Sequence, residues 1–352
     1  MNAPRIAVLG AGANGASIGV DLVRAGHDVT LIEQWPEHTQ AMRGQGVQIE
    51  MPHETTVTQV RVMNVCEVAT LRHQFDVVLV LMKAYDTGWA CQLIEPYLAP
   101  DGLLVCVQNG VTADVAADIV GAHRSLGSVI EISSTMYRPG IVERHSPPER
   151  SWFAVGSLCS ATVGREEDIA SLLRCSGAVS VVDDIRAAKW MKLVSNATTL
   201  VTTAIVDMPM REAVAVPELR ELMIRSGNEA LSAARSLGHR VLPIFGLRAQ
   251  DLVDEDHVVE QLLDTLMSGF VLDHTTTTIL QDWNKGRRSE AEEINGEVVR
   301  VLEAAGQSAP VNAAVLDMAR RIESGSRVPS RESMKELLDL AARRITPRPR
   351  FA

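Results

Sequence analysis

The stretch Ile6-Ala-Val-Leu-Gly10-Ala-Gly12-Ala-Asn14-Gly15-Ala16 reads as a strand, a tight turn and the start of a helix that runs to Arg24 and stops at Gly26. Its glycines have the spacing G-x-G-x-x-G. The first permits the turn, the second lets backbone approach a pyrophosphate, and the third lets the helix pack closely on the strand. Glycine spacing alone is a weak signal; a strand before it and a helix after it make it a dinucleotide fingerprint. The amides of Gly12, Ala13, Asn14 and Gly15 at the helix start would receive the diphosphate charge. Glu33 closes the next strand, eighteen residues beyond Gly15. A carboxylate there accepts hydrogen bonds from the adenosine ribose hydroxyls and repels a 2′-phosphate, so NAD is the expected cofactor, with NADP possible.

Outward from this motif, short apolar runs alternate with amphipathic segments, the pattern of βαβ units. Ile6 to Leu9, Asp28 to Ile32, Phe75 to Met82 and Leu103 to Val107 are the clearest strands, and the unbroken apolar run Val77 to Leu81 suits a strand covered on both faces. The fold class is therefore α/β, with a doubly wound parallel sheet of the Rossmann type over residues 1–183. Lys83 and Asn109-Gly110 follow two of these strands, where open α/β sheets place their ligand crevice. Near Asp183 the texture changes to helical periodicity. Residues 184–352 should form an all-α domain, with long stretches at Lys189 to Ile205, Pro217 to Leu237, Val258 to Met267 and Arg288 to Ala305, then Val311 to Glu323 and Glu332 to Arg344.

Composition narrows the function classes. A chain of 352 residues with 46% hydrophobic and 22% charged residues is long enough for two globular domains. A formal charge of -10 disfavours a nucleic-acid partner, and the basic cluster Arg343 to Arg350 reads as a solvated end. The five cysteines, Cys66, Cys91, Cys106, Cys159 and Cys175, show neither metal-type nor redox-type spacing, so no metal is expected and a reducing compartment fits. No apolar run approaches the roughly 20 residues that span a bilayer. With no leader-like pattern at the amino terminus, the expectation is an unprocessed, soluble, cytoplasmic protein.

Further short motifs follow in a specific order: Leu81-Met-Lys83-Ala, Val107-Gln-Asn109-Gly110, Lys192-x-x-x-Asn196, Thr278-Ile-Leu-Gln-Asp282, Arg287-Arg-Ser-Glu290 and Ile294-Asn-Gly296. Together with the glycine fingerprint, the chain resembles the ketopantoate reductase (2-dehydropantoate 2-reductase) family along nearly its whole length. The resemblance implies that Lys192 donates a proton while nicotinamide delivers hydride to a keto acid. It implies that Glu290 helps hold substrate, ribose and lysine in register, and that Thr278 binds the substrate carboxylate where the family has serine. Lys83 and Asn109 would meet cofactor or substrate, and Asn196 substrate. A helix places Lys192 and Asn196 on one face, and Lys189 shares it. From spacing alone either lysine could be the acid, and only the family pattern selects Lys192.

Two departures bear on specificity. Positions where ketopantoate-acting members carry asparagine are matched by Leu200, Met210 and Thr275, which leaves a more apolar wall, and the family's typical NADP(H) use contrasts with Glu33. Three functions are therefore carried forward. The first is an NAD(P)-dependent oxidoreductase interconverting a 2-keto acid and a 2-hydroxy acid. The second is an NAD-dependent catabolic dehydrogenase oxidising a less polar hydroxy acid or secondary alcohol. The third is a non-catalytic dinucleotide sensor, which would have no use for a proton donor. The partner is a small molecule in the first two cases, and the apolar helical domain predicts a homodimer.

Overall fold

The computed structural model describes residues 3–252, 257–273 and 275–345, so the predicted solvated cluster from Arg343 lies partly outside the described residues. The chain divides into two units, Met1–Lys189 and Trp190–Ala352. The division falls inside a helix.

Among the described residues, the first unit contains twelve strands: β1 (Arg5–Leu9), β2 (Asp28–Glu33), β3 (Val47–Glu50), β4 (Thr55–Thr58), β5 (Arg61–Asn64), β6 (Phe75–Val80), β7 (Leu98–Val107), β8 (Ser125–Glu131), β9 (Ser134–Arg138), β10 (Ile141–Arg144), β11 (Trp152–Ser157) and β12 (Ala178–Val181). Its helices are α1 (Ala13–Arg24), α2 (Pro36–Gln45), α3 (Thr87–Ile94), α4 (Ala113–Val120) and α5 (Glu166–Leu173). Eight strands form the main sheet in the order β12-β11-β8-β7-β6-β1-β2-β5. The chain leaves β1 first toward β2 and later toward β6, so the strand order reverses at β1, where open sheets bind ligands.

Alternation along the strands explains why both faces are covered. Ile6, Val8, Val77, Leu79, Leu103 and Val105 enter one apolar cluster, while Ala7, Leu9, Val78, Val80, Leu104 and Cys106 enter another. A parallel strand buried on both sides must be apolar at successive positions, which is why Val77 to Leu81 carries no polar residue.

The structure corrects the sheet in two respects. β11 runs antiparallel to β8, because the segment between them folds as a hairpin, β9 and β10, instead of a crossover helix. That hairpin joins β3 and β4 in a second sheet ordered β4-β3-β10-β9, which sequence patterning had missed. β6 also stops at Val80 rather than Met82. The Leu81 amide still bonds the Leu9 carbonyl at 2.7 Å before the chain turns away.

The second unit is helical. α6 (Ile185–Ile205) begins in the first unit and continues into the second, followed by α7 (Met210–Val214), α8 (Pro217–Ser236), α9 (Val258–Gly269), α10 (Thr278–Asn284), α11 (Glu297–Ala304), α12 (Pro310–Glu323) and α13 (Ser333–Ile345). The helix expected from Arg288 to Ala305 starts later, at Ala291, and runs to Ala304 with a π-helical turn inside it. The amide and hydroxyl of Ser289 both donate to Glu323 Oε1, at 2.9 and 2.6 Å, and fix the segment just before that helix. A π-helical turn, Glu292–Gly296, then precedes α11. Such turns recur at functional sites.

Candidate active site

The glycine turn has the geometry its spacing predicts. Gly10 has φ +97°, and a Cβ there would lie 2.6 Å from the Met82 nitrogen and 2.7 Å from the Leu81 carbonyl carbon. The turn after β1 and the turn after β6 therefore touch, and only glycine fits between them. The Gly10 amide donates to the Ile32 carbonyl at 2.8 Å, which brings the end of β2, and so Glu33, beside the same turn. A Cβ at Gly15 would lie 1.9 Å from the Gly10 carbonyl oxygen, so this helix position packs directly on the turn.

Gly12 differs: a Cβ there would meet nothing within 4 Å. It stands at the N-cap of α1, whose first turn carries no acidic residue and no side-chain cap. Open space over uncapped amides, at the positive end of a helix, fits the diphosphate of a dinucleotide. The Asn14 Oδ1 accepts from the Ser134 hydroxyl at 2.6 Å, which ties the start of α1 to β9.

Glu33 is 6% exposed, and its Oε1 accepts from the Trp35 amide at 2.9 Å, which orients the carboxylate at the start of α2. Lys83 is half-buried at the head of the turn Ala84–Asp86, and Asn109 is half-buried just past β7. Sequence reasoning missed His38. It is fully buried; its Nδ1 accepts from the Gly140 amide at 2.8 Å, so its Nε2 carries the proton that bonds the Ala11 carbonyl at 2.9 Å. This imidazole ties the glycine turn to the hairpin of the second sheet. The histidine-glycine pairing that results is a tertiary event with no local signature.

In the second unit, Lys192, Asn196 and Glu290 are buried at 8%, 2% and 4% exposure. Lys192 and Asn196 lie one helical turn apart on α6, and Glu290 lies just before the π-helical turn. The Lys192 Nζ lies 5.0 Å from the centroid of the Phe245 ring, a cation–π contact. Phe245 itself has φ +62°. That conformation costs a bulky residue energy and marks a place where the fold dictates the backbone. Sequence reasoning also missed Phe245; Phe245-Gly246 is an apolar residue beside a turn glycine, a faint signal at best.

Behind these residues lies a buried polar network. Asn295, in the π-helical turn, donates from Nδ2 to Asn312 Oδ1 at 2.7 Å and reaches the Ala197 carbonyl at 3.5 Å. It thus links the turn that follows Glu290 to the residue after Asn196. Ser226 joins the same group, donating to Ala197 O at 2.9 Å. Glu229 accepts from the Val311 and Asn312 amides at 2.9 Å each and from Asn312 Nδ2 at 2.7 Å, capping α12 from outside. Burial pushes its carboxyl above the ordinary value of 4.5.

Thr278 Oγ1 is buried without a hydrogen-bond partner among the described residues. Thr277, beside it, caps α10 and donates to the Leu200 carbonyl at 3.0 Å, fixing this segment to α6. Of the three positions that depart from asparagine, Leu200 and Met210 offer no polar side chain, and the Thr275 hydroxyl accepts from the Leu272 amide at 2.9 Å. Among the described residues, no group of three or more His, Cys, Asp or Glu could hold a metal, and no helix is long and apolar enough to cross a membrane.

Comparison with known proteins follows the same division. Residues 6–157 match the family model "Ketopantoate reductase PanE/ApbA", and residues 184–323 match its C-terminal counterpart. A 2-dehydropantoate 2-reductase of Archaeoglobus fulgidus is 27% identical over 327 residues, covering 92% of this chain and 100% of that protein. One from Halobacterium salinarum is 25% identical over 319 residues, covering 90% and 98%. A crystal structure of a PanE/ApbA family ketopantoate reductase from Ralstonia eutropha superposes with TM-score 0.77 at 25% identity, covering 91% and 99%. A D-mandelate dehydrogenase with NADH and anilino(oxo)acetate shares the fold, with TM-score 0.81 at 20% identity over 91% and 99% of the two chains. With both domain models matched in order and relatives aligned end to end, the chain belongs to the ketopantoate reductase PanE/ApbA family of nicotinamide-dependent oxidoreductases.

Proposed function

We propose that this chain reduces a 2-keto acid to the corresponding 2-hydroxy acid with NADH, ketopantoate being the first substrate to test. The observation that carries this reading is Lys192, an ammonium kept 8% exposed on the helix face it shares with Asn196, in a chain that matches the family across both domains.

Gly10, Gly12 and Gly15 shape the turn, and the amides of Ala13, Asn14 and Gly15 hold the diphosphate. Glu33 accepts from the adenosine ribose, which is the ground for preferring NAD over NADP. Lys83 and Asn109 border the crevice at the ends of β6 and β7. Nicotinamide, when bound, supplies hydride to the carbonyl carbon. Lys192 stabilises the charge that grows on the carbonyl oxygen and donates the proton that completes the alcohol. Asn196 and Glu290 keep substrate and lysine in register, and the unpartnered hydroxyl of Thr278 is available to the substrate carboxylate. The apolar side chains of Leu200 and Met210 suit a keto acid with a less polar substituent than most relatives accept. A homodimer in the cytoplasm belongs to the same reading.

The matched relatives favour reduction over catabolic oxidation of an apolar hydroxy acid and over a non-catalytic sensor. Consumption of NADH and NADPH with a panel of 2-keto acids tests the choice. Turnover with NADH on at least one 2-keto acid is expected; tight dinucleotide binding without turnover on any of them would overturn it.

A further inference from the structure

Lys189 and Lys192 are equivalent by spacing, yet their surroundings differ. Lys189 is 4% exposed, and its Nζ donates to the carbonyl oxygens of Gln108 and Ser128, both at 3.0 Å. Val107 and Ser128 are the last paired residues of β7 and β8. The Gln108 carbonyl is thus the first beyond the ladder, immediately before Asn109. An ammonium is costly to bury unless dipoles surround it, and here two carbonyls at the end of the sheet supply them.

The bonds continue through the Gln108 side chain, itself 5% exposed. Its Nε2 donates to the Met82 carbonyl at 2.7 Å and lies 3.0 Å from Thr87 Oγ1, with the Lys83 carbonyl at 3.4 Å. One path of hydrogen bonds therefore runs from Lys189 through both ends of Gln108 to the turn that carries Lys83. We propose that Lys189 and Gln108 form a brace that sets Asn109 and Lys83 at the dinucleotide crevice, with Lys189 a positioning residue and not the proton donor. This rests on the dinucleotide reading above.

The chemistry explains the residue types. A buried lysine offers three donors on a flexible stem and can serve two carbonyls at once, whereas methionine of similar length can serve none. Without the ammonium, the two carbonyls lose their partner and Gln108 is free to shift, and displacements near 1 Å at such sites cost up to about 10²-fold.

NADH titration of wild type, Lys189→Met, Gln108→Met and the double variant tests the brace, with thermal melts alongside. Each single change should raise the NADH Kd about tenfold, and the double change should do little more, because both interrupt one path. Lys189→Arg, which keeps a cation and donors, should recover part of the affinity. In turnover, the brace variants should raise KM for NADH more than they lower kcat, while Lys192→Met should do the reverse. Wild-type NADH affinity in Lys189→Met with only a lower melting temperature would overturn the brace, as would additive losses in the double variant. Should Lys189→Met fail to fold, unchanged NADH affinity in Gln108→Met overturns it alone. If the wild type binds no dinucleotide, the dinucleotide reading has failed and the brace with it.

Discussion

Gly12 and Gly15 are glycines of one motif, and the structure separates what each does, so replacing each by alanine should have opposite consequences. At Gly12 an added methyl meets nothing within 4 Å, and φ of −62° suits alanine without strain. Gly12→Ala should therefore keep or raise stability, by about 0.4–1 kcal/mol from the stiffer unfolded chain. That methyl enters the opening where the diphosphate approaches the α1 amides. Losing one charge-assisted hydrogen bond, at about 1.5–3 kcal/mol, weakens NADH binding by roughly 10- to 100-fold. At Gly15 the methyl would lie 1.9 Å from the Gly10 carbonyl oxygen, a backbone atom that cannot swing aside. Overpacking there should cost about 1–3 kcal/mol or more, which exceeds the helix-propensity gain of up to about 1 kcal/mol. Thermal melts followed by circular dichroism, paired with NADH titration, read both effects. A Gly12→Ala protein that binds NADH as wild type does would refute the placement of the diphosphate over α1.

Two further changes test other parts of the account. Glu33→Ala should weaken NADH binding more than NADPH binding; equal losses in the two titrations would remove the basis for the cofactor preference. Glu229→Gln places an amide donor against amides that now share a carboxylate and should cost about 1–3 kcal/mol in urea unfolding at neutral pH. The pH dependence has a definite sign. Because the folded-state value of Glu229 lies above 4.5, the folded protein favours the protonated group, so its contribution to stability is greatest below 4.5 and declines as pH rises through the raised value. The variant should lack that decline when stability is measured from about pH 4 to about pH 7.

The parts legible in the sequence were those fixed by local backbone demands or by long apolar patterns. Gly10 must adopt a positive φ against the turn at Leu81 and Met82, and that demand is written in the residue itself. The strands β1, β2, β6 and β7 carry apolar residues at successive positions because both sheet faces are covered. The second sheet was not legible, since β3, β4 and β10 are four residues each and β4 alternates between exposed and half-buried positions. β11 was not singled out in the sequence, and its antiparallel direction is set by the hairpin that precedes it. The π-helical turn escaped detection because its cause is tertiary: Ser289 is held by Glu323, and Asn295 is drawn into a buried network. From spacing alone either lysine of α6 could be the proton donor, and the structure separates their surroundings: carbonyl oxygens at Lys189 and the Phe245 ring at Lys192.

Transfer of deuterium from C4-deuterated NADH to ketopantoate and other 2-keto acids, followed in wild type and Lys192→Met, addresses the chemistry itself. The account predicts deuterium at C2 of the hydroxy acid formed by the wild type. In the variant, the rate should fall by about 10² or more with NADH affinity retained. A Lys192→Met protein that reduces keto acids at the wild-type rate, or a product without deuterium, would contradict it.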